Sequence, residues 1–182
     1  MAALIEREEL HHRQVDLRFY RRSDGLYEVT GKLLDRKTQP FMRQLAAEPT
    51  PPGTPVHDIS VYLVLDEDLV VQDAGAVMDT TPYDVCRGAT ATLAPLKGLQ
   101  IGAGWNRKVR DVLGGAASCT HIAELLGPMA TTAFQGLAPK RLAVINLPGH
   151  EKQRQAKVNS CFAYAAHRSV VARLWPELHE PL

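Results

Sequence analysis

Two stretches in the first half of the chain alternate apolar and polar residues in the way that paired β-strands do. Residues 15–21 alternate, a tight-turn tripeptide follows at Ser23-Asp24-Gly25, and residues 26–34 continue as a second strand. Residues 59–65 alternate again and lead through an acidic turn into a further strand over residues 69–78. These patterns predict two β-hairpins in succession.

The hydrophobic period becomes helical after Thr81. Pro82 suits the first position of a helix over residues 82–93, and a second helix begins near Trp105 and ends at Gly114-Gly115. Ser118 can cap a third, longer helix, which Pro128 should kink or divide. The apolar stripe of this third helix consists of Ile122, Leu125, Leu126, Met129, Ala130 and Ala133.

The last forty residues contain short apolar segments that we interpret as β structure. Residues 142–147 are expected to form a brief strand, and residues 160–165 and 170–174 a terminal hairpin. The predicted fold class is therefore α+β, with antiparallel β hairpins packed against a C-terminal helical layer and a final short β element. We expect residues 1–13 to be a polar lead-in, residues 14–178 a single domain, and residues 179–182 a tail.

Composition and charge restrict the classes of function. The chain has 182 residues, of which 45% are hydrophobic and 23% charged, and its formal net charge is +1. Such a balance gives no field to attract a polyanion, so we expect no nucleic-acid partner. The sequence contains neither a secretory signal nor an 18-residue apolar run, so we expect no membrane partner. Its three cysteines, an odd number, favour a reducing cytoplasm. A small-molecule substrate or a metal donor is the expected partner, and association into a homo-oligomer is left open.

The chemistry of the chain is concentrated at Cys119 and His121. If Ser118 caps the third helix, Cys119 lies at its N-terminus, where the helix dipole stabilises a thiolate. Residues two apart on a helix point in different directions, so Cys119 and His121 converge only if the helix begins at or after Thr120.

Two further residues suggest a shared site with this pair. Cys86 lies near another predicted helix start, and His57 stands at the entrance to a strand beside Asp58. We predict that His57, Cys86, Cys119 and His121 bind a zinc or iron ion, with Asp58 orienting an imidazole or serving as a further ligand. Such a site could belong to a metal-dependent enzyme that acts on a small metabolite.

A metal-free thiol enzyme is the first alternative. Cys119 would then be the nucleophile, His121 or His57 the base, and Asp58 the residue that orients the base. A metal or iron–sulfur carrier is the second alternative. Cys161 is expected in the core, with its membership of the site left open, and His11-His12 are expected to be solvated.

Several short segments resemble a bacterial family of domains of unknown function. That family tends to carry R-x-D-G-L, H-D-M, P-Y-x-x-C, G-C-T-H-L and C-H-A segments. The corresponding segments here are Arg22–Leu26, His57–Ile59, Pro82–Cys86, Ser118–Ile122 and Cys161–Ala163. The resemblance covers about residues 13–165 and implies no particular reaction.

A more distant similarity of layout links the chain to the U-type iron–sulfur cluster scaffold proteins. Those proteins place ligands before and after a hairpin and at a helix start. Carried over by position, Cys86 would match the second ligand, Cys119 and His121 the helix pair, and His57-Asp58 the first cysteine and its neighbouring aspartate. The histidine in place of that cysteine favours a mixed nitrogen and sulfur site for a single ion over a cluster.

Overall fold

The structure is a computed structural model that describes residues 5–182. The chain divides into two compact units, Met1–Gly136 and Leu137–Leu182. The predicted domain over residues 14–178 spans both units. Residues 1–4 of the expected lead-in lie outside the described residues.

The first unit contains a four-stranded antiparallel sheet. Its strands are β1 (His11–Arg21), β2 (Tyr27–Lys37), β3 (Pro55–Leu65) and β4 (Val71–Thr80), and they lie side by side in chain order. Both predicted hairpins are thereby confirmed. β1 begins at His11, four residues before the strand that the sequence predicted from residue 15. β1 lies mostly exposed at the edge of the sheet, and its polar first residues, 11–14, show no hydrophobic alternation.

One face of the sheet is apolar and lies beneath a long helix, α2 (Thr120–Val144). α2 approaches the sheet closely at Gly31 of β2, because a Cβ atom there would come within 2.9 Å of Met129 Sδ. All six residues of the predicted stripe of this helix are buried, which confirms its orientation. The buried strand residues on this face include Val29, Leu33, Ile59, Val61 and Leu63.

The segment between β4 and α2 contains two further helices. The first is a 3₁₀ helix over Asp84–Leu96, where the sequence predicted a helix over residues 82–93. The second, α1 (Trp105–Leu113), agrees with the prediction and ends before Gly114. Pro128 does not divide α2, contrary to one of the two expected effects, because a proline removes only one helical hydrogen bond and buried residues hold the helix on both sides of it.

The second unit contains helices instead of the predicted final β element. Residues 142–144 belong to the end of α2, α3 (Glu151–Lys157) follows, residues 160–165 form turns, and residues 170–174 lie in α4 (Ser169–Leu174). A 3₁₀ turn over Pro176–Leu178 follows α4. The prediction was wrong because short apolar runs have no period that separates a strand from a helix. No helix within residues 5–182 is long and apolar enough to cross a membrane.

Candidate functional site

Three polar side chains form a row across the sheet on the face that otherwise carries the core. Arg13 of β1 pairs in register with Asp35 of β2, and Asp35 pairs with His57 of β3. Residues two apart in a strand share a face, so Asp35 follows Leu33 and His57 precedes Ile59 on the side that faces the helices. The strand register therefore places a cation, a carboxylate and an imidazole next to one another.

Asp35 is the centre of this row. It is 1% exposed, and Arg13 binds it through two parallel hydrogen bonds, from Nε to Oδ1 at 2.7 Å and from Nη2 to Oδ2 at 2.9 Å. Burial by itself would raise the pKa of Asp35, but the Arg13 hydrogen bonds and charge outweigh it, so the pKa falls to about 2. The carboxylate is consequently ionised at neutral pH.

Two imidazoles converge on the same oxygen of this carboxylate, Oδ2. His57 Nδ1 lies 3.0 Å from Asp35 Oδ2, and His121 Nε2, from the first turn of α2, lies 4.0 Å from that oxygen. The two rings lie against each other at a tilt of 38°, with centroids 3.9 Å apart. Burial lowers the pKa of both histidines, helped by the proximity of His121 for His57 and of Arg13 for His121. Both imidazoles are therefore neutral at pH 7.

Cys119 reaches the other nitrogen of His121. Because α2 begins at Thr120, Cys119 precedes the helix, and its carbonyl accepts the hydrogen bond from the Ala123 N–H at 3.1 Å. Its Sγ lies 3.8 Å from His121 Nδ1. The two side chains can therefore meet, since the helix begins at Thr120, as the sequence analysis required.

A cavity of about 550 Å³ opens beside these residues. His57, Cys86, Cys119 and His121 all line it, and Asp35 does not. All four predicted metal ligands therefore face one space, although they come from β3, the 3₁₀ helix and the start of α2.

The ligand atoms that lie closest together are nevertheless a different set. Within residues 5–182, one group of three or more His, Cys, Asp or Glu side chains has ligand atoms within 4.8 Å of one another, and it consists of Asp35, His57 and His121. Two of the predicted ligands belong to this cluster, whereas Cys86 and Cys119 do not. The sequence reasoning missed Asp35, although the alternation that buries Val29 and Leu33 places a carboxylate on the same face of β2.

Asp58 lies apart from the cluster. Neighbouring residues of a strand point to opposite faces, and Asp58 pairs with Lys32 Nζ at 2.9 Å, on the other side of the sheet from His57. Asp35 occupies the position next to His57 that the sequence analysis gave to Asp58.

One expectation about another residue was confirmed and one was wrong. His11 is exposed, as expected, although its Nε2 lies 3.2 Å from Asp35 Oδ1 because β1 begins early enough to include it. Cys161 was expected in the core, but it is exposed in the second unit, because no strand forms around it.

Comparison with known proteins gives one match. No curated protein and no solved structure matches the chain, so nothing supports the layout similarity to iron–sulfur scaffold proteins. A family model described as "Protein of unknown function (DUF2889)" matches residues 11–135, which include the whole sheet, the candidate site and most of α2. Because this match covers well over half of the chain, the protein belongs to the DUF2889 family.

Proposed function

We propose that the protein binds a divalent zinc or iron ion through Asp35, His57 and His121. The observation that carries this proposal is the convergence of one carboxylate and two imidazoles within 4.8 Å. Two histidines and one carboxylate are the ligand set of many catalytic zinc and non-haem iron sites, in which other coordination positions remain open.

The distances are compatible with one ion. Ligand atoms about 2.0–2.2 Å from a common ion lie about 3.0–3.4 Å apart. Asp35 Oδ2 is 3.0 Å from His57 Nδ1 and 4.0 Å from His121 Nε2, and all three ligand atoms lie within 4.8 Å of one another, so a common ion requires the His121 side chain to move closer to the other two.

The charge states favour the same interpretation. Metal ions bind neutral imidazoles and ionised carboxylates, and the pKa shifts of all three residues keep them in those forms at pH 7. Arg13 opposes the binding of a cation, but Glu124 Oε2 accepts a hydrogen bond from Arg13 Nη1 at 3.1 Å and offsets its charge. Arg13 would therefore act mainly as a positioning residue that fixes the carboxylate.

The cavity supplies the argument for catalysis. Both imidazoles line it, so an ion held by them would have its open positions toward a space large enough for a small metabolite. An ion at His121 Nε2 leaves Cys119 on the opposite side of the ring, next to Nδ1. Cys119 would then orient the ligand His121 and would not bind the ion itself.

Zinc binding to single-site variants tests the proposal. Competition with a chromophoric chelator should show one zinc ion per chain, and His57→Ala and His121→Ala should each weaken zinc affinity by at least about 100-fold. His12→Ala is the matched control, because His12 is an exposed histidine of β1. If the two cluster variants bind zinc as well as the control does, the proposed site is wrong.

Thiol catalysis is a second candidate, supported by a separate observation. His121 has Cys119 Sγ 3.8 Å from one ring nitrogen and Asp35 Oδ2 4.0 Å from the other. This order of nucleophile, base and carboxylate is that of a catalytic triad, and such distances are often loose without substrate. Asp35 would take the orienting role that the sequence analysis gave to Asp58.

Alkylation rates separate the two candidates. Under thiol catalysis, iodoacetamide should modify Cys119 faster than the exposed Cys161, and His121→Gln should slow the reaction at Cys119 alone. If Cys119 reacts no faster than Cys161 and its rate is unchanged by the substitution, the thiol mechanism is excluded.

We also propose a cytoplasmic location, because all three cysteines are free thiols.

A further inference from the structure

We propose that the cavity beside the Asp35–His57–His121 cluster selects a small uncharged molecule with an apolar body and one neutral polar group. This inference deepens the proposed function, since the polar group would meet the proposed ion. The selection against charged molecules depends on the cavity walls and can be measured without the ion.

The wall of the cavity is largely apolar. Within residues 5–182, no Lys, Arg, Asp or Glu side chain is among those that line it. The apolar lining comes mainly from β3, β4, the segment after β4 and the first half of the 3₁₀ helix: Ile59, Met78, Pro82, Tyr83, Val85 and Ala89. A carboxylate or phosphate that entered would lose water and find no cationic side chain among these lining residues to compensate it.

Four of the five hydroxyl groups that line the cavity are bonded to other protein atoms, and Thr120 supplies the fifth. Thr81 Oγ1 donates to the Tyr83 carbonyl at 2.9 Å, and the Thr92 and Ser118 hydroxyls bond to each other at 2.6 Å. The Tyr83 hydroxyl donates to Gln44 Oε1. These groups therefore have little capacity left to replace the hydration of an anion.

Two arginine side chains near the cavity, Arg43 and Arg87, donate hydrogen bonds to backbone carbonyls. Arg43 donates to the carbonyls of Thr81 and Pro55 at 3.4 and 3.0 Å, and Arg87 donates to the Met78 carbonyl at 3.4 Å. Neither side chain lines the cavity. Both guanidinium groups therefore bond to backbone carbonyls and are not part of the lining.

Polarity is concentrated at one end of the cavity. There the imidazoles of His57 and His121 and the Cys119 sulfur converge, since the two tilted rings have centroids 3.9 Å apart and the sulfur lies 3.8 Å from His121 Nδ1. A ligand would accordingly place its hydroxyl or carbonyl at this end and its apolar body against Tyr83 and Val85. The volume of about 550 Å³ suits a substituted ring or a short branched chain.

Benzyl alcohol and benzoate are matched probes, because they share a ring and differ in charge. Binding of each to the full chain is measured by NMR titration in the presence of EDTA, so that no ion attracts the carboxylate. We expect benzyl alcohol to bind at least about tenfold more tightly than benzoate. Equal affinity, tighter binding of benzoate, or no binding of either probe would overturn the inference.

A variant that adds a cation provides a gain-of-binding test. Ala117→Lys places an ammonium group at the cavity wall and should shift the preference toward benzoate, and Ala89→Lys serves the same purpose if the first variant does not fold. Ala156→Lys, on the exposed surface of α3, should leave the preference unchanged. If neither cavity lysine strengthens the binding of benzoate, the inference is contradicted. If zinc does not bind but benzyl alcohol still does, the proposed metal site is wrong and the inference about the cavity stands.

Discussion

Replacing Asp35 by Asn tests whether the buried carboxylate stabilises the fold. The substitution keeps the shape of the side chain but removes the charge that Arg13 binds through two parallel hydrogen bonds. Arg13 is 39% exposed and can recover hydration, so the loss of its partner adds little further cost. The main effect should be loss of the stability that comes from ionisation of Asp35.

The magnitude follows from the pKa of Asp35, which lies at about 2 in the folded chain against an ordinary value of 3.8. A shift of slightly less than two units corresponds to about 2 kcal/mol in the free energy of unfolding. Because the folded pKa is the lower one, this stabilisation is present above about pH 4. It is lost as the pH falls through about 2.

Urea unfolding followed by circular dichroism measures both effects. At pH 7, Asp35→Asn should lower the free energy of unfolding by about 2 kcal/mol, and between pH 4 and 2 it should remove the part of the acid destabilisation that Asp35 causes. Asp16→Asn is the matched control, since Asp16 pairs with Arg18 on the exposed face of β1 and should cost less than about 0.5 kcal/mol. Equal losses in the two variants, or parallel acid profiles for Asp35→Asn and the wild type, would refute the reasoning.

Two further substitutions test how α2 packs in the first unit. Gly31→Ala should destabilise the chain by about 1–3 kcal/mol in urea unfolding, because its Cβ would come within 2.9 Å of Met129 Sδ, whereas Gly88→Ala, which has open space around it, should be neutral. Trp105→Phe removes the buried hydrogen bond from Nε1 to the Leu126 carbonyl at 2.9 Å and should lower the thermal midpoint by an amount equivalent to about 1 kcal/mol. If Gly31→Ala loses no stability, or loses less than Gly88→Ala, α2 does not pack as closely against β2 as the structure shows.

The predictions that succeeded rest on long periodic patterns. Both hairpins and the buried stripe of α2 extend over many residues, so the alternating and helical periods could be recognised without tertiary information. The final β element failed because residues 170–174 are too few to show either period, and they form α4. β1 was underestimated because an exposed edge strand carries polar residues on both faces.

The candidate site was predicted only in part, since its geometry depends on strand register. His57, Cys119 and His121 stand out as chemical groups in the sequence, and the structure brings them to one cavity. Asp35 was missed because a lone carboxylate in a strand is inconspicuous until the register pairs it with Arg13 and His57. Position on a strand decides the face, which is why Asp58, next to His57 in sequence, points away from it.

X-ray absorption spectroscopy of the zinc-loaded chain tests the proposed ligands most directly. Binding by Asp35, His57 and His121 predicts nitrogen and oxygen neighbours at about 2.0–2.2 Å, the scattering pattern of two imidazoles, and no sulfur neighbour. A sulfur neighbour at about 2.3 Å would show that Cys86 or Cys119 is a ligand, and a spectrum without imidazole would place the ion elsewhere. Either result would contradict the carboxylate–histidine site.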